Sequence, residues 1–425
     1  METKWIVLII TILMYCIVLI FPGKKAWATM AAALLVVILG IITPLKALTL
    51  VNWSVLLIYI GSLILADLFI YSRVPARIAD NIVDYAPSAG IAIVILLIIT
   101  GLISAFVENV ATVMVMAPVA LALCRKLNMN PTRFMIGLAV MANLQGTATL
   151  VGDPPSMIFA GFANYGFNDF IVYMNRPSIF FVVQTGMAAG ALYFLAVFYK
   201  ENKIKIRTEK EPVLSMIPTL LLILMILALA MISFIYHGIS LLSGFLVLGL
   251  GLVSLLWYIL IQKKGIRSGL TLMKKLDWET ILFLTGIFII IGTLSETGLL
   301  DELAYILKVL IGSNVLLGFV IIILVSVLIS GFVDNVPYII AMLPVTSVLA
   351  NHLNLKPELF MFALLVGSCL GGNLTPFGAS ANIAALGILK KEGVTVDIKG
   401  WLKIGLPFTF ITTAAASIFL WIIWH

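Results

Sequence analysis

The sequence predicts an all-α polytopic membrane protein of two inverted-topology repeats, each with three scaffold helices, a re-entrant helical hairpin, a broken helix and a final helix. Three observations carry that expectation. The 425-residue chain is 62% hydrophobic and only 11% charged, where a soluble domain would carry about 25% charged residues. Apolar runs of about 17 to 23 residues recur along its length, each able to cross a hydrocarbon core of about 30 Å as a helix, whereas a barrel would show alternating segments of about ten residues. Finally, Ile103-Ser-Ala-Phe-Val-Glu-Asn-Val110 returns as Ile329-Ser-Gly-Phe-Val-Asp-Asn-Val336, 226 residues later. Along that offset 22 of the 51 positions from Leu102 to Gly152 are identical, among them Pro118 with Pro344, Asn128 with Asn354, Gly146 with Gly372 and Gly152 with Gly378. Chance matching of apolar residues does not give this.

The first half, residues 1–199, opens with spans at Trp5 to Phe21, Trp27 to Thr43 and Val51 to Tyr71, followed by an amphipathic piece from Arg73 to Tyr85. An initial apolar run followed by Ala26-Trp-Ala28 resembles a cleavable signal, but Lys24 and Lys25 follow the run instead of preceding it, so it reads as a span. Gly90 to Val107 and Asn109 to Cys124 are two apolar arms meeting at Glu108. Phe134 to Asn164 is broken at Gln145 to Pro155, where glycine and tandem proline interrupt a helix and free backbone groups. Ser178 to Tyr199 closes the half. A charged linker, Lys200 to Pro212, joins it to residues 213–425, where spans at Val213 to Phe234, Ile239 to Ile261 and Trp278 to Leu294 repeat the plan. An amphipathic piece follows around Leu300 to Leu310, then arms at Val315 to Val333 and Asn335 to Leu349. Leu359 to Leu389 is broken at Gly371 to Asn382, and Leu402 to Trp424 ends the chain.

Loop charge favours hairpins at Glu108 and Asp334 over full crossings. With hairpins, each half crosses five times and 21 of the 26 Lys and Arg fall on one side. By the positive-inside rule that side is cytoplasmic, with the Lys200–Pro212 linker on it and both termini outside a cell (inner) membrane. The net charge of +7 therefore belongs to loops facing a lipid bilayer and does not point to nucleic acid. Cys16, Cys124 and Cys369 lack metal-ligand spacing and read as small core hydrophobes, so neither a disulfide framework nor a metal site is expected.

Paired breaks in repeated halves converge near the midplane, where helix N-termini offer N–H groups and freed carbonyls offer cation ligands. The candidate substrate and ion site is therefore Glu108, Asn109, Thr147, Thr149, Asp153, Asp334, Asn335, Asn373, Thr375, Ser380 and Asn382. No Lys, Arg or His falls inside an expected span, which leaves Glu108, Asp153 and Asp334 without a cationic side-chain partner. Such carboxylates must be protonated, hydrated, hydrogen-bonded or cation-bound, which suits coupling to H+ or Na+ with no other cofactor. Asp153 before Pro154 also reads as a helix N-cap, as does Asp334 before Asn335; Glu108 is a weaker capping residue.

Ser104-Ala-Phe-Val-Glu-Asn-Val-Ala-Thr-Val, the Gly152-Asp-Pro-Pro-Ser156 break, Gly371-Gly-Asn373 and Gly378-Ala-Ser-Ala-Asn382 resemble the ArsB/P-protein branch of the ion transporter superfamily, related to NhaD antiporters and sodium-coupled dicarboxylate and citrate carriers. The resemblance spans essentially the whole chain. It implies a scaffold plus a mobile transport domain, an elevator-like movement and, in many members, a homodimer. Glu108 stands where that family commonly carries Asp, and Ser156 where it commonly carries Asn. The Ser-Asn-Thr motifs of the dicarboxylate carriers are absent.

A di- or tricarboxylate would meet three acidic side chains with no fixed cation, a repulsion of several kcal/mol at low dielectric. A neutral solute or a cation fits better; arsenite is largely the uncharged acid at neutral pH, so the activity that the resemblance implies, proton-coupled efflux of arsenite or antimonite, is the one expected, not an enzymatic reaction. Sodium/proton antiport and sodium-coupled organic anion transport are the alternatives. A channel would need a continuous polar pore, and an intramembrane aspartyl protease would need paired aspartates with a Gly-x-Gly-Asp element that this chain lacks.

Overall fold

The structure is a computed structural model describing residues 3–201, 212–236, 238–311, 314–353 and 355–425. Most of the expected linker, His237 and Asn354 lie outside the described residues. The first half holds α1 (Thr3–Ile20), α2 (Lys25–Ile38), α3 (Pro44–Leu50), α4 (Trp53–Tyr71), α5 (Val74–Tyr85), α6 (Ala89–Ser104), α7 (Asn109–Leu127), α8 (Thr132–Gly146), α9 (Pro154–Ala163) and α10 (Ile179–Val197). The second holds α11 (Ile217–Ile235), α12 (Leu241–Leu260), α13 (Gly265–Lys275), α14 (Trp278–Glu296), α15 (Leu299–Ile311), α16 (Val315–Ser330), α17 (Asn335–His352), α18 (Glu358–Gly371), α19 (Ser380–Lys391) and α20 (Ile398–Trp424). Among the described residues, α4, α7, α10, α11, α12, α14 and α20 are long and apolar enough to cross a membrane.

Local chemistry sets the boundaries. Ser88 and Asn314 cap α6 and α16 by accepting the Ile91 and Leu317 N–H groups, and Asn52 and Asp277 do the same for α4 and α14. One expectation needs correcting: the second span ends early. Gly40, at φ +68, turns the chain out of α2, after which Thr43 and Pro44 start the separate helix α3, with Thr43 accepting from the Lys46 N–H. A second departure lies between α9 and α10. There β1 (Val172–Tyr173) pairs antiparallel with β2 (Arg176–Pro177) through Met174 and Asn175, both at positive φ.

The scaffold helices pack backbone to backbone. A methyl group on Gly61 of α4 would lie 2.5 Å from the Val247 carbonyl of α12, and one on Gly286 of α14 would lie 2.6 Å from the Thr29 carbonyl carbon of α2. Small residues at such crossings let membrane helices approach closely. Gly61→Leu is therefore expected to cost at least the 1–3 kcal/mol typical of overpacking, roughly, and to lower the melting temperature in detergent. Gly249→Leu, on the same α12 with open space around it, should melt like the parent. Equal melting of the two variants would contradict this packing.

The arms meeting at Glu108 form a hairpin. Gly137 packs on Leu97 and Gly101 on Met141, so α6 and α8 run the same way, and α7 between them returns. The second half repeats this: Gly367 lies against Ile323, and Gly371 against Val327, making α16 and α18 parallel and α17 the return arm. Helices α8 and α18 are buried on every side along nearly their whole length, as a helix at the centre of a membrane bundle must be. Their last turns carry polar groups to the middle of the protein. Cys124 and Cys369 are buried as expected, but Cys16 is exposed on the outer face of α1.

Candidate functional site

Both hairpin tips and both helix breaks meet at one place. Glu108 Oε2 accepts the Ala111 N–H at 2.9 Å and Asp334 Oδ1 accepts the Val336 N–H at 3.2 Å, so each carboxylate caps its return arm and keeps an oxygen free of that bond. The neighbouring amides are also used twice over. Ser104 donates to Asn109 Oδ1 at 2.7 Å, Ser330 donates to Asn335 Oδ1, and Asn109 Nδ2 reaches Asn143 Oδ1 at 3.5 Å.

The breaks are stapled to the tips by matching bonds. Thr149 donates to the Ala105 carbonyl and Thr375 to the Gly331 carbonyl, which are equivalent positions in the two halves. Asp153 caps α9 by accepting the Ser156 N–H at 3.0 Å. Ser156 Oγ donates to the Gly146 carbonyl at 3.4 Å, and its counterpart Asn382 donates to the Gly372 carbonyl at 2.8 Å and to the Thr375 carbonyl at 2.9 Å. These bonds satisfy carbonyls that the interrupted helices release.

Asn143, absent from the sequence-based candidates, joins the halves. Its Nδ2 donates to Asn373 Oδ1 at 3.0 Å and to Asn382 Oδ1 at 2.8 Å. All three amides are buried, and Asn373 Nδ2 has no hydrogen-bond partner among the described residues. Beside this cluster lies a cavity of about 70 Å³. Glu108, Asn109, Asp153, Asp334, Asn335 and Ser380 line it, together with Asn143 and the scaffold residues Lys25, Tyr59, Asp277 and Thr280. Asn373 and Asn382 stand behind Asn143. Thr149 and Thr375 are turned to backbone carbonyls, and Thr147 is buried against the Cys369 thiol away from the cavity.

The expected absence of a cation is wrong. Lys25 Nζ lies 3.1 Å from Asp334 Oδ2. The cause is the shortness of α2: its 14 residues rise about 21 Å, less than the hydrocarbon thickness, so its first residue sits at the site instead of in a loop. Across the cavity Tyr59 donates to Asp277 Oδ2 at 3.1 Å. Tyr59, Glu108 and Asp277 also line a cleft of about 900 Å³ that continues to Asp67, Ser268 and Lys275. The cleft reaches the Lys-rich helix α13. Four carboxylates and one ammonium thus face one small space; like charges about 4 Å apart repel by about 4 kcal/mol at an effective dielectric of 20, so bound protons or cations must offset them.

The profile of the citrate transporter family, CitMHS, matches residues 6–367 and 310–425. The uncharacterized transporter Rv2684 of Mycobacterium tuberculosis is 31% identical over 430 aligned positions, covering 98% of each chain. The P protein of Homo sapiens is 24% identical, over 77% of this chain and 48% of its own. Among solved structures, the Alcanivorax borkumensis YdaH transporter matches with a TM-score of 0.62 at 16% identity, over 92% of this chain and 87% of its own. The family and this structural relative are transporters, not enzymes.

Proposed function

Because this chain belongs to the citrate transporter family and is a multi-pass secondary transporter, we propose that it couples solute movement to a proton or sodium gradient through Glu108 and Asp334. The observation that carries the proposal is the cavity closed by both hairpin tips, where four carboxylates face one ammonium. A carboxylate that gains a cation loses the repulsion of its neighbours, so loading lowers the barrier to moving the hairpins past the scaffold. Alternating exposure would follow from the hairpins and broken helices sliding against α2, α4, α12 and α14, in an elevator-like movement of two inverted repeats joined at the cytoplasmic side. The 21-to-5 division of basic residues supports that orientation in a cell membrane. A homodimer through the scaffold would hold α4 and α14 still.

For the cargo we favour arsenite or antimonite, exported in exchange for protons. The cavity of about 70 Å³ corresponds to about two waters at the roughly 30 Å³ each occupies in the liquid, a space nearer in size to the uncharged acid of arsenite than to citrate, which is several times larger and requires the hairpins to part. A second reading has a specific observation behind it. Lys25 supplies the fixed cation whose expected absence argued against anions, so a carboxylate carried with a cation is the alternative, in keeping with the family's description. Arsenite accumulation in everted vesicles, with and without an imposed proton gradient and with sodium varied, tests the choice. Gradient-driven accumulation supports arsenite/proton antiport. No accumulation, with citrate entering instead or sodium collapsing the pH gradient, refutes it in favour of the carboxylate or the sodium/proton reading.

A further inference from the structure

Glu108 and Asp334 hold equivalent positions in the two halves, but their surroundings are not equivalent. Asp334 faces the Lys25 ammonium at 3.1 Å. Glu108 forms no ion pair among the described residues; the scaffold groups sharing its cavity are Lys25, Tyr59, Asp277 and Thr280, and Asp67 and Lys275 line the cleft beside it. The two scaffold crossings also differ at matched positions. Gly286 sits on Thr29 of α2, and Gly61 sits on Val247 of α12. Four residues before each contact stand Lys25 and Ser243. Ser243 is buried, with its hydroxyl 3.1 Å from that of Ser240. One of two matched places thus carries a fixed ammonium and the other a small hydroxyl.

Access differs as well. Glu108 lines both the central cavity and the large cleft, whereas Asp334 lines the central cavity and not the cleft. The Lys25 side chain is 18% exposed and that of Asp334 40%, so burial does not seal the pair. The ammonium holds the spot by proximity. Besides Asp334, the charged groups around Lys25 are Asp277 and Glu279 at the start of α14 and, in the same cavity, Glu108 and Asp153. Asp277 is already engaged by Tyr59 and by the Thr280 N–H that it caps.

Taking the coupling role of the hairpin carboxylates as its premise, we propose that Lys25 is the resident counter-ion of Asp334, occupying the place of a coupling cation so that Glu108 alone draws one from solution in each cycle. Removing the ammonium then obliges Asp334 to take a proton or sodium ion of its own. The number of cations bound to the folded protein is read from the slope of its stability against the logarithm of cation concentration.

The test is thermal unfolding of the purified full-length protein in detergent, against sodium at fixed pH and against pH at fixed sodium. Lys25→Met is expected to raise the summed slope by about one cation. Lys25→Arg should leave it unchanged, and Lys25→Met with Asp334→Asn should restore it. Asp334→Asn alone should keep the parental slope, which gives a second reading if Lys25→Met fails to fold. A parental slope in Lys25→Met, no restoration in the double variant, or a lower slope in Asp334→Asn would show Lys25 to be a structural tether and overturn the proposal. An unchanged slope in Glu108→Gln removes the coupling premise instead, so the two failures are distinguishable.

Discussion

Glu108→Gln folds normally and loses gradient-driven transport, by about 100-fold or more, equivalent to about 2.7 kcal/mol of coupling. The amide oxygen still accepts the Ala111 N–H, so the cap on α7 survives. What disappears is the hairpin carboxylate that lines both the cavity and the cleft, and with it, on the proposed mechanism, the exchange of a cation between solution and the hairpin. Asp334→Asn should behave differently. It also keeps its cap but removes the 3.1 Å ion-pair partner of Lys25, so it should lower stability as well as transport. Melting curves paired with flux in liposomes separate the two outcomes. Full gradient-driven flux in Glu108→Gln would remove this residue from the coupling site.

Asn143→Leu should be among the most destabilising single substitutions in the protein. The new side chain is similar in size but leaves Asn373 Oδ1, Asn382 Oδ1 and Asn109 Nδ2 without their Asn143 bonds. Each buried polar group so stranded costs about 1–3 kcal/mol, so the total is several kcal/mol and the halves lose their shared polar link. The equivalent position in the second half is Cys369, fully buried with its thiol against Thr147. Cys369→Leu should cost only what overpacking costs, roughly 1–3 kcal/mol, and should leave the amide cluster intact. Equal melting temperatures for the two variants would contradict the bridging role of Asn143.

The contrast between these two positions explains what the sequence could reveal. Helix breaks and hairpin tips stand out because the repeat conserves them between halves: Asn109 with Asn335, Thr149 with Thr375, Gly152 with Gly378. Those residues turn out mostly to build the frame. Part of the cavity's lining sits where the halves differ: Asn143 against Cys369 and Asp153 against Ala379. Matching the halves for identity passes over such pairs. Lys25 was hidden for another reason, because a lysine at the end of an apolar run reads as a loop charge until the 14-residue length of α2 is known. Asp67 had a visible signal, a lone carboxylate inside the run from Val51 to Tyr71, since ionisable groups at that depth are costly and usually functional. Asp277 had none, since before Trp278 it reads simply as the cap that it also is.

The most direct measurement is of lumenal pH in liposomes holding the protein, with an arsenite gradient imposed and no initial proton or sodium gradient. Coupling through the hairpin carboxylates predicts that arsenite movement drives protons the opposite way, that the signal vanishes in Glu108→Gln, and that it survives in Gly249→Leu. Arsenite crossing with the lumenal pH unchanged would show movement without coupling, and would contradict the central claim.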